Sequence, residues 1–129
     1  MTATTTDSTG IARLGTVVLD CTDTLALAEF YSKITGWPVA DDSDKDWAGL
    51  DATAGVGLSF QRADEYTPPQ WPGIDPPQQF HLDFQVADLD DGEAQALAIG
   101  AVKHEHQPGE SFRVFLDPAG HPFCLCQDG

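Results

Sequence analysis

Apolar and polar positions alternate along two stretches that align with each other, residues 14–23 and residues 79–88. A period of two marks strands. Both stretches end in Asp, and the two acids, Asp23 and Asp88, are offset by 65 residues (23 to 88). After each Asp the period lengthens. Leu27, Phe30, Tyr31 and Ile34 follow the i, i+3, i+4, i+7 spacing of an amphipathic helix. The pattern predicts helices over 25–34 and 89–99, each with an Asp where an N-cap belongs and a glycine, Gly36 or Gly100, just past its end.

Each helix is followed by three short strand-like runs: 37–40, 47–51 and 56–61, then 101–106, 112–116 and 122–126. Turn signals separate them, among them Asp41 to Asp44, Pro108-Gly109 and Asp117-Pro-Ala-Gly120. The chain thus reads as two βαβββ modules, an α+β fold. The expected division is a flexible tail over 1–13 and one domain over 14–126, with module one 14–62, a linker 63–78 and module two 79–126. The linker carries Pro68, Pro69, Pro72, Pro76 and Pro77 and is expected to run extended over the surface. One module is too thin to hold a core alone; two pairing, within one chain or between chains, would complete it.

Alternation also separates the faces. Val17, Leu19 and Cys21, with Leu58, Phe60, Leu82, Phe84, Phe123 and Leu125, must cover the helices. The other face then carries Thr16, Asp20, Ser59, Gln61, His81, Asp83, Gln85 and Cys124. Two readings compete: a wet outer face of an antiparallel sheet, or the polar lining of a cavity.

The chain has 129 residues, enough for one domain, and 41% of them are hydrophobic. Its net charge of −15 repels phosphate backbones and anionic membranes, which argues against nucleic-acid or membrane partners. No apolar run is long enough to span a bilayer, and the N-terminus lacks the basic start and apolar stretch of a signal peptide. Three cysteines, Cys21, Cys124 and Cys126, form neither a disulfide framework nor a zinc pattern. The expected location is a reducing cytoplasm.

The run from Asp23 to Trp37, with Phe30-Tyr31 and Gly36-Trp37, resembles the first module of the vicinal oxygen chelate superfamily. His81 to Asp88 and Asp117 to Cys124 resemble its second module, in its glyoxalase-like subgroup. The resemblance implies paired modules whose mixed curved sheets enclose a cavity, a homodimer, and functions that include glyoxalases, dioxygenases, epimerases, thiol transferases and antibiotic-binding proteins. Metal-using relatives place ligands on the first and last strand of each module. Here those positions hold Thr16, Gly57, His81 and Cys124. Only His81 and Cys124 can ligate a divalent ion, so no metal and no other cofactor is expected. The carboxylate base of glyoxalase I is also missing from these positions.

The function expected is therefore binding of a small organic molecule without a catalytic metal. A lyase or isomerase using His81 is one alternative. A resistance protein binding a cationic, bleomycin-type antibiotic is another. His81 is the catalytic candidate, with Asp83 two residues on to orient its ring. Trp37, Trp47, Trp71 and Phe115 are candidates for an apolar wall. Arg113, alternating with Phe115, would pair a ligand carboxylate on the cavity side, or else Asp83 or a surface acid. His104 and His106 would share a strand face, and His121 belongs to its turn.

Overall fold

The computed structural model describes residues 10, 14–77, 79 and 81–127. The expected tail over 1–13 lies outside the described residues except for Gly10. The first half holds β1 (Thr16–Cys21), α1 (Thr24–Thr35), β2 (Trp47–Gly49) and β3 (Gly57–Arg62). The second holds β4 (Leu82–Val86), α2 (Leu89–Ala98), β5 (Val102–Lys103), β6 (Phe112–Leu116) and β7 (Pro122–Gln127). Their sheets have the orders β1-β3-β2 and β4-β7-β6-β5, with the first strand of each half parallel to the last. No helix among the described residues is long and apolar enough to cross a membrane.

Both helices start as the sequence reading expects. The Asp23 side chain accepts from Ala26 N and that of Asp88 from Asp90 N, satisfying amide donors that the helix cannot pair. Gly36 ends α1 at a φ of 78°, where a side chain would be strained. The run 37–40 is reduced to a single bridge, Val39 to Leu50. Pro38 has no N–H to give a ladder, although its carbonyl accepts from Asp51 N. The run 101–106 is also cut short, to two residues. There the Gln107 side chain takes over the edge of β6: its amide nitrogen donates to the carbonyls of His104 and Val114, and its oxygen accepts from Val114 N. His104 and His106 consequently share no strand face; His106 N donates to His104 Nδ1 instead.

The core joins the two halves. Tyr31 on α1 stacks on Phe60 of β3 at 5.8 Å and on Phe84 of β4 at 6.0 Å. Phe30 meets Phe123 of β7 edge-on at 5.9 Å. Side chains of this size contribute about 1.5–3 kcal/mol each on full burial, so α1 is shared by both cores. The halves thus pack on each other within one chain. The linker departs from a plain extended run. It folds back at a Gln70–Pro77 bridge, with Gln70 N donating to Pro76 O.

Candidate functional site

The register of the second sheet decides which side chains share its open face. Asp83 pairs with Cys124, which also pairs with Val114, and Cys126 pairs with Gln85 and Phe112. His81, just before β4, brings its Nε2 to 3.1 Å from Asp83 Oδ1. The linker fold sets Trp71 over this imidazole, with ring centroids 4.8 Å apart and planes 27° apart. Trp71 also meets His106 edge-on at 5.7 Å.

Beside this stack lies a cavity of about 210 Å³ walled by Trp71, His81, Asp83, Phe112, Cys124 and Cys126. Trp71 is also part of the wall of a wider groove of about 720 Å³, which reaches His104 and His106. Cys124 is 1% exposed. Burial, and then the Asp83 carboxylate, push its thiol up to about 12. Cys126 is raised for the same two reasons. Both are therefore protonated near neutrality and are poor nucleophiles. One ligand atom each from His81, Asp83 and Cys124 can be chosen so that all three lie within 4.8 Å of one another.

The remaining candidates scatter. Thr16 and Ser59 satisfy each other through their hydroxyls at 2.9 Å. Asp20 and Gln61 pair in register on the same face and are exposed, and Trp47 stands opposite Gln61, 44% exposed. Trp37 walls a separate cavity of about 160 Å³ in which Gly57 of the first half meets Asp83 of the second. Gln85 borders a groove between α1 and α2.

Two placements correct the sequence reading. Phe115 is fully buried in the core, not in a cavity wall. Arg113, in register with Leu125, lies on the helix side and donates to Asp90 and Glu93 of α2 at 2.9 and 3.0 Å. Of the partners left open for it, a surface acid is the one found. The signal was the acidic start of α2, one strand face away.

Sequence reasoning gave Tyr31, Tyr66 and Asp117 no site role and left His121 to its turn. The structure gathers all four. Asp117 Oδ2 accepts from Tyr31 OH at 2.6 Å and lies 2.8 Å from His121 Nδ1, and Tyr66 packs on the His121 ring at 5.3 Å. No local pattern announces contacts that span 86 residues, as Tyr31 to Asp117 does.

Residues 16–126 match the family model of the glyoxalase-like domain. No curated protein matches the sequence. Among solved structures, the chain resembles a glyoxalase/bleomycin resistance protein/dioxygenase family enzyme from Burkholderia phytofirmans PsJN at 20% identity and a TM-score of 0.70, covering 90% of this chain and 98% of that one. It resembles a possible glyoxalase from Bacillus cereus at 16% identity and a TM-score of 0.67, covering 92% and 99%. The oxidase ChaP-H2 is similar at 18% identity and a TM-score of 0.60, covering 93% and 96%. Likeness at these identities speaks for the fold.

Proposed function

The chain belongs to the glyoxalase-like domain family, and from that premise we propose that it binds a small organic molecule on the open face of the second sheet. The observation that carries this reading is the placement of Trp71 over His81 beside the cavity of about 210 Å³. Indole and phenyl walls with one oriented imidazole and one carboxylate make the usual composition of a small-molecule site. A planar ligand stacks on Trp71 or Phe112, and its donor meets His81. Asp83, 54% exposed at its side chain, and the net charge of −15 favour a neutral or cationic ligand over an anion. The charge likewise supports a small molecule, not nucleic acid or membrane, as partner. A homodimer in the cytoplasm completes the proposal, and light scattering tests the dimer. A thermal-shift screen of neutral and cationic metabolites and antibiotics against wild type and Trp71→Ala tests the binding. Hits that stabilise wild type and not the variant support it; hits indifferent to Trp71 count against it.

The family resemblance raises a divalent metal. Thr16 and Gly57 offer the first module no useful donor, and the pair sits in register on β1 and β3. A metal held jointly by both modules therefore does not fit. A three-donor set within the second module, His81, Asp83 and Cys124, fits a borderline or soft ion better. A second reading, an enzyme of the lyase or isomerase type, rests on that cluster. There His81, Asp83 and Cys124 would hold the ion, which would polarise a substrate oxygen.

A further inference from the structure

On the opposite, core-facing side of the sheets, the Asp117 carboxylate has no exposed side-chain surface, and both its oxygens are engaged. Oδ1 accepts from the backbone amides of Ala119 and His121, and Oδ2 from the Tyr31 hydroxyl, with His121 Nδ1 at 2.8 Å. An ionised carboxylate can only accept, so Nδ1 must carry a proton. In the neutral ring, Nε2 is then a bare acceptor. Among the described residues it has no hydrogen-bond partner.

His121 forms part of the wall of a cavity of about 130 Å³. Most of the remaining wall is apolar, with Leu19, Leu82, Pro69, Pro77 and the ring of Tyr31, and the exposed Gln79 is its one other polar side chain. No residue lines both this cavity and the one beneath Trp71, so the two are separate. Tyr66 packs on the same imidazole, and its own hydroxyl is buried without a partner among the described residues. The cluster therefore holds hydrogen-bonding capacity that protein atoms leave unused.

We propose that this cavity is a second binding site, for a compact neutral molecule with an apolar body and a single O–H or N–H donor, held by His121 Nε2. Its size suits one six-membered ring, since an apolar cavity of about 150 Å³ accepts benzene. Asp117 acts as a positioning residue that fixes the tautomer, and Tyr31 holds Asp117 in place. A charged ligand is disfavoured, because the mostly apolar wall offers no opposite charge and only the exposed Gln79 amide besides His121 to replace its hydration.

Phenol and toluene differ in the one donor this site would read. Each is titrated into the full-length protein at pH 8, with imidazole nitrogens followed by long-range proton–nitrogen NMR. The expected result is protonated Nδ1 and bare Nε2 at His121 before titration, a shift at Nε2 on adding phenol, and phenol binding about two- to tenfold tighter than toluene, the range one neutral hydrogen bond supplies. His121→Phe should erase the preference. Leu82→Trp, which leaves the polar cluster untouched, should block both ligands. Equal affinities, binding of neither, the opposite tautomer, or a phenol shift at His81 instead of His121 would each overturn the proposal.

Discussion

The hydroxyl of Tyr31 donates to Asp117 Oδ2 at 2.6 Å, tying α1 of the first half to the turn between β6 and β7 of the second. Both groups are buried, and the same ring stacks between Phe60 and Phe84. One side chain thus supplies packing and a charge-assisted bond to the contact between the halves.

Tyr31→Phe keeps the stack and removes the bond. A hydrogen bond to a charged group contributes about 1.5–3 kcal/mol, so urea denaturation at pH 7 should show a loss of that size. A loss below about 0.5 kcal/mol, the scale of surface substitutions, would mean that the bond does not hold the halves together.

Stability should also fall at alkaline pH. Burial raises the Cys21 thiol to about 11 and that of Cys124 to about 12, and it lifts the phenols of Tyr31 and Tyr66 well above their ordinary value. Each group is more readily deprotonated in the unfolded chain, where thiols titrate near about 8.5 and phenols near about 10. Their contribution is full below those values and is lost as pH rises through the folded ones. Urea midpoints should hold steady to about pH 8 and then decline. Cys21→Ser with Cys124→Ser should flatten the first part of that decline. A wild-type profile flat to pH 10.5, roughly half a unit above the ordinary phenol value, would contradict the burial of these groups.

Gly120 has a φ of 89°, and an added Cβ would lie 2.7 Å from Pro68 Cβ. Gly120→Ala should therefore cost about 1–2 kcal/mol for the backbone conformation alone, and more for the clash. Because the displaced segment leads into Trp71, ligand affinity should fall with stability. Thermal melts and a binding isotherm on the same sample check both.

Much of this fold could be read from the chain because its cues are local. Asp23 and Asp88 cap their helices, Gly36 and Gly100 follow them, and alternation puts Leu19 and Phe60 inside. The run 37–40 has the apolar pattern of a strand yet forms only the Val39–Leu50 bridge, because Pro38 cannot donate to a ladder. The site was legible in half. Strand parity put His81, Asp83 and Cys124 on one face, and their register brings them together. Counting only first- and last-strand positions, however, left Asp83 out of the donor set. The place of Trp71 depends on how a proline-rich segment folds back, and that of Asp117 on a partner from the other module. Neither leaves a periodic trace.

Zinc should bind weakly at pH 7 and more tightly as pH rises. His81 and Asp83 engage each other, and Cys124 must lose a proton before it can ligate. Competition titrations at pH 7 and pH 9 should show this, and Asp83→Asn or Cys124→Ser should weaken binding further. Tight one-to-one binding at pH 7 that Asp83→Asn abolishes would move the enzyme reading ahead of the binding one.

The central claim is that the chain binds a small molecule beneath Trp71. Amide and side-chain NMR shifts of metal-free protein, mapped with the best hit of a thermal-shift screen, test it most directly. The account predicts perturbations at Trp71, His81, Asp83, Phe112 and Cys124, lost in Trp71→Ala. Perturbations confined to Thr16, Ser59 and Gln61 of the first sheet, or binding that appears only with added metal, would contradict it.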